Sequence, residues 1–284
     1  MKLIKRTIFA IGALALCFLL SKAIAMDTAP TGLPSAQPDP IKTTAGVLYA
    51  ELFSRERQAD VRTLIVVLHG DAPSGFTDYQ YGVAERASAM IEHSAVVAIL
   101  RPGYADREGH RSDGDPGSTV GDSYTADRID TVAAAIGVLK TQFPHAKVIV
   151  AGHSGGAAVT ANLAGTHPGL FDGMLLVSCP CNVPLWHEHM KSLVAADSWL
   201  PHIESLDPMT TIAHVAPRLK VAMVVGDKDN VTPPTLSRAY AAALAKRHVR
   251  TGVQLVPGGD HNVFSTDQVL AALMALSAGL EPTP

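Results

Sequence analysis

The sequence predicts an α/β fold: a mainly parallel central sheet with helices on both faces and a short cap segment. Strand-like and helix-like patterns alternate along the chain, which is typical of folds in which helices connect parallel strands. Several strand-like segments, such as residues 64–68, are continuous apolar runs. Parallel strands that are buried on both faces have this pattern. A third observation is a glycine-rich turn at residues 152–156, between a strand-like run and a helical pattern.

The first half of the predicted domain alternates strands with helices. Apolar and β-branched runs predict strands at residues 46–53, 61–69, 96–101 and 147–151. The spacing of apolar residues predicts helices at residues 83–93 and 125–143, and Pro144 ends the second of them.

The second half continues this alternation after the glycine-rich turn. Small residues at 157–164 predict a helix, and apolar runs predict strands at residues 174–178, 219–226 and 252–256. Further helices are predicted at residues 233–248, where Pro233 suits the first turn, and at residues 265–278. Residues 179–217 show no regular pattern and are interpreted as an irregular cap insertion.

The composition is that of a globular protein with a sizeable core. Of the 284 residues, 47% are hydrophobic and 17% are charged, and the formal net charge is -3. Beyond the first few residues no cluster of Lys and Arg marks a surface for nucleic acid or anionic lipid. We therefore expect no nucleic-acid partner.

The N-terminus has the layout of a secretory signal peptide at residues 1–25. Positive charge at Lys2 to Arg6 precedes an apolar run, and small residues at 23–25 fit a cleavage site. A membrane anchor is the alternative, but the apolar run stops at Lys22 and is short for a spanning helix. We therefore expect export to the periplasm or secretion, with no stable membrane insertion after the signal is removed.

The remaining chain divides into a leader and one domain. Residues 26–44 are rich in Pro, Thr, Ala and Ser and are predicted to be a flexible leader. Residues 45–284 are predicted to form the domain, with the cap insertion inside it.

The glycine-rich turn reads Gly152-His153-Ser154-Gly155-Gly156. A G-x-S-x-G pattern between a strand and a helix is typical of a nucleophile elbow, in which a tight turn lifts the serine hydroxyl above the sheet edge. Ser154 is therefore the predicted nucleophile.

A serine hydroxyl needs a base, and the base needs a group that orients it. His261 is the predicted base, because it lies in a loop between the last predicted strand and the last helix. Asp229 is the predicted acid, with Asp227 in the same loop as the alternative. Asp260 is adjacent to the histidine and is interpreted as a polar loop residue.

Negative charge that develops on a substrate oxygen requires preorganised donors. The backbone N–H groups of Gly155 and Asp71 are predicted to supply them, from the elbow and from the turn that follows the strand at residues 61–69. Because a carboxylate near an oxyanion is repulsive, the side chain of Asp71 must turn away. The alternative for the His69-Gly70 pair is a simple tight turn.

Other residues support weaker interpretations. His69, Tyr104 and Trp186 are predicted to line the substrate pocket, although aromatic residues in a cap are often only packing. Cys179 and Cys181 could pair in an oxidising compartment, but structural or free thiols are favoured, because a ring closed over one residue is strained and gains little entropically. Their spacing to nearby histidines matches no usual zinc pattern, so no metal site is predicted.

The order Ser154, Asp229, His261, with the elbow and the His-Gly turn, resembles the α/β-hydrolase superfamily over residues 45–280. Within it, residues 101–104 and the elbow are similar to serine esterases of the prolyl-oligopeptidase-like or dienelactone-hydrolase-like branch. The resemblance implies a serine hydrolase that needs no metal or organic cofactor.

The combined expectation is an exported serine hydrolase that cleaves small or medium carboxylic esters through an acyl-enzyme. The expected partner is therefore a small-molecule ester. A serine peptidase or amidase of the prolyl-oligopeptidase-like type is one alternative, and a non-catalytic protein that keeps the fold is another. The short cap segment favours a small ester over a large peptide.

Overall fold

In the residues that the computed structural model describes, 37–117, 120–121, 123–193 and 204–280, an eight-stranded sheet forms the centre of the protein. The described residues form ten strands, eight of which belong to this sheet. They are β1 (Gln37–Pro38), β2 (Ile41–Thr43), β3 (Gly46–Leu48), β4 (Ala50–Ser54), β5 (Thr63–Leu68), β6 (Ser94–Ile99), β7 (Lys147–His153), β8 (Gly173–Val177), β9 (Lys220–Gly226) and β10 (Val253–Val256). The helices are α1 (Tyr79–Met90), α2 (Ala126–Gln142), α3 (Gly155–Thr166), α4 (Val183–Leu193), α5 (Pro208–Thr211), α6 (Pro234–Lys246) and α7 (Asp267–Ala278).

The order of strands in the sheet is β1-β4-β6-β5-β7-β8-β9-β10. The six strands from β6 to β10 in this order are parallel to one another. At one edge β4 runs antiparallel to β6, and β1 runs antiparallel to β4. β2 and β3 form a separate antiparallel pair. The predicted fold class, a mainly parallel sheet with helices, is confirmed.

Apolar side chains fill both faces of the sheet. In β5, Leu64, Val66 and Leu68 belong to a core cluster that includes residues of α2, α3 and α6. Ile65 and Val67, which point to the opposite face, belong to a second cluster that includes residues of α1 and α7. This two-sided burial explains why the strand is a continuous apolar run.

The folded part begins earlier than the sequence predicts. Residues 37–43, assigned to the flexible leader, include β1 and β2. Gln37 pairs with Leu52 of β4, and Ile41 is buried in the core. The prediction of a leader through Thr44 is therefore wrong for these residues, because one buried isoleucine and two short pairings outweigh a loop-like composition. The predicted signal peptide and residues 26–36 lie outside the described residues.

The cap segment is more regular than the sequence predicts. Within residues 179–217 the chain forms α4 and the short α5, and residues 194–203 lie outside the described part. Val183 and Trp186 are buried on one face of α4, while Leu185 and Leu193 are exposed. Burial of one face stabilises the helix. Its sequence carries the matching signal, since Val183, Trp186 and Met190 recur at helical spacing. No helix in the described ranges is both long and apolar enough to cross a bilayer.

The two cysteines of the cap are bonded to each other. Cys179 and Cys181 form a disulfide, with their Cα atoms 5.1 Å apart. This Cα separation lies in the range that disulfides usually show, because the chain turns sharply after β8, where Ser178 has a φ of 49°. The interpretation of these residues as structural or free thiols is therefore wrong.

Candidate active site

The residues predicted to carry chemistry meet at one edge of the sheet. Ser154 follows β7 directly, Asp229 follows β9, and His261 follows β10. Asp71 lies in the turn after β5. Since these strands are parallel, the turns after their carboxyl ends converge on the same edge, where ligands of such sheets bind.

The turn at Ser154 depends on glycines that allow close backbone contacts. Ser154 has φ 51° and ψ -121°, a region that residues with side chains rarely adopt. A Cβ atom on Gly152 would lie 2.3 Å from the carbonyl oxygen of Gly156, and one on Gly156 would lie 2.4 Å from that of His69. Larger residues at either glycine would therefore push the serine out of its position.

Ser154, His261 and Asp229 form a continuous hydrogen-bonded line. The Nε2 atom of His261 lies 2.9 Å from the Oγ atom of Ser154. Its Nδ1 atom lies 3.0 Å from Oδ2 of Asp229 and 3.2 Å from Oδ1. The carboxylate can only accept, so Nδ1 carries the proton and Nε2 is left to accept from the serine hydroxyl.

Asp229 is held ionised in a buried position. Its side chain is fully buried, and it accepts hydrogen bonds from the N–H groups of Val231 and Thr232 and from the hydroxyl of Thr232. Burial alone would raise the pKa of Asp229, but the hydrogen bond and charge of His261 and the bonds from Thr232 lower it below its ordinary value. Asp229 therefore remains a carboxylate that can orient His261.

The other two acids near His261, Asp227 and Asp260, accept hydrogen bonds from backbone N–H groups of loop residues. Asp227, the alternative in the prediction, accepts from the N–H of Gly258. Asp260 accepts from the N–H of Asn262. The structure thus brings Asp229 rather than Asp227 to the histidine.

The turn after β5 packs directly against the elbow. A Cβ atom on Gly70 would lie 2.9 Å from Cβ of Ser154, so the turn lies beside the serine. Gly155 is the first residue of α3, and its N–H therefore has no partner within the helix. Gly155 thus follows Ser154 directly, and Asp71 follows Gly70 in the turn that packs against it.

The side chain of Asp71 is saturated by partners other than a substrate. Its Oδ1 atom accepts from Arg101 at 2.9 Å. Its Oδ2 atom accepts from the hydroxyl of Tyr124 at 2.7 Å and from the N–H of Gly121 at 2.8 Å. The carboxylate packs so close to Gly155 that a Cβ there would lie 2.1 Å from Oδ1.

Arg101 neutralises this carboxylate inside the protein. Burial alone would lower the pKa of Arg101, but the surrounding oxygens of Tyr104, Asp71 and Tyr124 raise it, so the guanidinium stays charged. It also donates to the carbonyl of His69. The Asp71 carboxylate therefore lies beside Gly155, with its charge paired to Arg101 inside the protein.

The three predicted pocket residues have different positions. His69 is fully buried, with its ring nitrogens next to the carbonyl of Gly70 and the N–H of Arg101. Trp186 is buried and donates to the carbonyl of Val231. These two residues therefore support the walls of the site and present no surface that a substrate can reach. Tyr104 lines a cavity of about 160 Å³ next to the turn after β5.

Sequence reasoning missed the roles of several residues around the serine. Arg101 and Tyr124 hold Asp71, and Tyr79 contacts His153, which precedes the serine. Arg101 offered one signal, because a charged residue directly after a continuous apolar strand is unusual unless it is paired. The other contacts depend on the tertiary fold.

No group of three or more His, Cys, Asp or Glu residues in the described ranges is placed to hold a metal ion. The arrangement instead offers a hydroxyl, an imidazole that can take its proton, a carboxylate that orients the imidazole, and backbone N–H groups beside them. Such a set can catalyse acyl transfer without a metal.

Known proteins share both sequence and fold with this chain. The family model for serine aminopeptidases of the S33 type matches residues 59–205. The AB hydrolase superfamily protein YfhM of Bacillus subtilis (strain 168) is 32% identical over 131 residues, which cover 46% of this chain and only 38% of that protein.

Solved structures share the fold over most of the chain. The acylaminoacyl peptidase of Pyrococcus horikoshii superposes with a TM-score of 0.68 at 13% identity, over 90% of this chain and 44% of its own. The Pyrococcus furiosus esterase Pf2001 superposes with a TM-score of 0.62 at 14% identity, over 86% and 91%. At these identities the likeness shows the fold alone. The family model matches just over half of the residues of this chain. The chain is therefore a hydrolase of the α/β-hydrolase superfamily, and it belongs to the family described as serine aminopeptidase, S33.

Proposed function

We propose that the protein is an exported serine hydrolase that cleaves small or medium carboxylic esters through an acyl-enzyme. One observation carries the proposal: His261 lies within hydrogen-bond distance of both Ser154, at 2.9 Å, and Asp229, at 3.0 Å. An imidazole in this position activates a hydroxyl that is otherwise a weak nucleophile.

The proposed reaction has two halves. In the first, the Oγ atom of Ser154 bonds to the ester carbonyl carbon while its proton passes to Nε2 of His261. The N–H groups of Gly155 and Asp71 stabilise the oxyanion, and the C–O bond to the alcohol then breaks as Nε2 returns the proton to the leaving oxygen. In the second half, water repeats these steps on the acyl-enzyme, which releases the acid and restores Ser154.

A cavity that borders the turn after β5, the turn that carries Asp71, supports a small substrate. The space of about 160 Å³ is lined by residues that include Ala72, Pro73, Tyr104 and Val120. A cavity of about 150 Å³ accommodates a benzene ring. We therefore propose that one side of the ester is a short aliphatic or single-ring group.

The two buried carboxylates beside Ser154 do not favour a peptide with a free amino terminus. A carboxylate without a counter-charge would attract the ammonium group of such a peptide. Both carboxylates already have a partner: Asp71 is paired with Arg101, and Asp229 is hydrogen-bonded to His261. Neither is therefore available to anchor an ammonium group.

The disulfide supports the proposal of export. Disulfides persist in oxidising compartments and are rare in the cytosol, and Cys179 and Cys181 are bonded. Expression of the full chain in a bacterial host, followed by mass spectrometry of the periplasmic and culture fractions, tests this. We expect a product that begins at Met26; a full-length product that stays in the cytoplasm would contradict export.

The catalytic proposal is tested with an active-site probe and an ester panel. We expect a fluorophosphonate to label the wild type and Ser277→Ala, but not Ser154→Ala, and p-nitrophenyl esters to be hydrolysed with the same pattern. Ser277 is a matched control, because it is a buried serine bonded to Thr63 at the opposite edge of the sheet. Labelling of Ser154→Ala, or none of the wild type, would contradict the proposal.

Aminopeptidase activity is the second candidate, and the description of the matched family favours it. Acyl esters compared with aminoacyl anilides, each tested on the wild type and Ser154→Ala, separate the two candidates. Turnover of the anilides alone would reverse the order proposed here.

A further inference from the structure

His153, the residue before Ser154, has contacts that go beyond packing. Its side chain is buried at the end of β7, and its ring stacks on Phe264 with the ring centroids 5.2 Å apart. The ring centroid of His261 lies 5.1 Å away. Each of its two ring nitrogens also has a polar partner.

The directions of these hydrogen bonds follow from which atoms can donate. The carbonyl oxygen of His261 can only accept, so the Nε2 atom of His153, at 2.9 Å, must carry a proton. In the neutral ring, Nδ1 then accepts from the hydroxyl of Tyr79, which lies 2.8 Å away. The oxygen of Tyr79 in turn accepts from the N–H of Gly70.

The neutral form of His153 is the one that this arrangement needs. Burial, and then the nearby ring of His261, lower the pKa of His153 to about 4, although the carbonyl of His261 and the charges of Asp229 and Asp71 act in the opposite direction. Only a neutral imidazole offers one donor and one acceptor at once. At neutral pH the bonds to both sides are therefore satisfied.

These contacts connect three separate loops. Gly70 belongs to the turn after β5 that packs against Ser154, His153 belongs to the elbow, and the bonded carbonyl belongs to His261 itself. Tyr79 is the first residue of α1 and connects that turn to the elbow. A shift of about 1 Å between reacting groups can reduce a rate by about a hundredfold.

We propose that His153 and Tyr79 are positioning residues, which hold the His261 loop and the Gly70 turn against Ser154. The inference rests on the proposed function, since it assigns these residues to the same reaction. His153 contacts no substrate in this role, and it acts through the backbone carbonyl of His261. The alternative is that the ring only fills space between Tyr79 and Phe264.

Kinetics of two His153 variants distinguish positioning from the filling of space. His153→Leu fills the space but cannot donate to the carbonyl, and we expect kcat on a p-nitrophenyl ester to fall about a hundredfold with KM changed less than threefold. His153→Gln places an amide N–H near the position of Nε2, and we expect it to keep kcat within about fivefold of wild type. Equal losses in the leucine and glutamine variants would overturn the proposal.

Tyr79→Phe keeps the ring and removes only the hydroxyl, so it remains informative if His153→Leu does not fold. We expect kcat to fall about tenfold, because Gly70 and His153 each lose a partner. Tyr240→Phe is the matched control, because the buried hydroxyl of Tyr240 has no hydrogen-bond partner among the described residues. The control is expected to behave as wild type, and a Tyr79→Phe enzyme with wild-type kcat would contradict the proposal.

A measurement without substrate separates this inference from the proposed function. In protein labelled with ¹⁵N-histidine, nitrogen shifts report the tautomer and the protonation of each ring. We expect His153 to carry its proton on Nε2 and to stay neutral down to about pH 4. The opposite tautomer, or protonation near pH 6.5, would overturn the inference even in an active enzyme. A wild type without esterase activity or probe labelling would instead overturn the proposed function.

Discussion

Two buried carboxylates lie on either side of Ser154, and their partners differ. Asp229 is bonded to His261, a base whose charge can change, and to the donors of its own loop. Asp71 is bonded to Arg101, whose charge is permanent, and to two donors from residues 121 and 124. Both side chains are nearly inaccessible, with 0% and 4% of their surface exposed.

The difference shows that the partner sets what a buried acid can do. Asp229 can stabilise a positive charge that forms on His261 during a reaction and disappears afterwards. The charge of Asp71 is already paired with that of Arg101, so in the proposed mechanism its carboxylate beside Gly155 repels a developing oxyanion less than a free carboxylate would. We call the Asp229–His261 pair the responsive side of the serine, because its charge can change during proton transfer. We call the Asp71–Arg101 pair the static side, because its charges do not change.

The largest effect is expected when the responsive side is altered. Asp229→Asn should lower kcat by a factor on the order of 10³ to 10⁴, because an amide can donate to the ring and favour the wrong tautomer of His261. The fold should be retained. Steady-state kinetics on an ester, with circular dichroism as the check on folding, measures this.

Asp227→Asn is the matched control for that variant, because its amide oxygen can still accept from Gly258. We expect it to keep kcat within about threefold of wild type, since surface changes away from the site have small effects. A large loss in Asp227→Asn together with an active Asp229→Asn would reverse the assignment of the acid.

The static side should respond in stability. Arg101→Met leaves Asp71 as a buried charge without its counter-charge, and we expect the free energy of unfolding to fall by about 3–5 kcal/mol. The double variant Arg101→Met/Asp71→Asn removes the unpaired charge and should recover part of that loss. Urea unfolding curves of the wild type, both single variants and the double variant measure the coupling; additive losses would show that the pair is not energetically linked.

The smallest effect concerns proton uptake by His153, which is hydrogen-bonded to His261 of the responsive side. The folded protein holds the pKa of His153 at about 4, below the value of about 6.5 in an unfolded chain. As pH falls below 6.5 the unfolded chain binds a proton that the folded protein does not, so stability is lost down to about pH 4, by about 3 kcal/mol in total.

Unfolding free energies measured at pH 7 and pH 4 test this prediction. His153→Gln should lose less stability than wild type over that interval, because glutamine does not titrate. Some loss should remain, since burial and the charge of Arg101 hold the pKa of His69 well below its ordinary value as well. An identical loss in the variant and the wild type would contradict the shifted pKa of His153.

Local patterns were sufficient for the main architecture. Continuous apolar runs located most strands to within a few residues, and the glycines around Ser154 marked the elbow. The α4 helix could have been predicted, because Val183, Trp186 and Met190 recur at helical spacing. The strands β1 and β2 could not, because their stability comes from pairing with Leu52 and from burial of Ile41. Contacts with distant residues leave no local signal.

The disulfide and the network around Asp71 also needed the tertiary structure. Whether Cys179 and Cys181 pair depends on the turn after β8, which Pro180, the one residue between them, does not specify. The hydrogen bonds of Asp71 join it to Arg101 and Tyr124, which are 30 and 53 positions away in the chain.

By itself the sequence determined the α/β class, the order of the chemical groups and their places at strand ends, because hydrophobic periodicity and glycine turns are local properties. The tertiary structure alone decided that Asp229 rather than Asp227 contacts His261, and that Arg101 forms an ion pair with Asp71. The physical reason is that hydrogen bonds and ion pairs between distant segments depend on distances of a few ångströms, which are set only when the strands have assembled into the sheet.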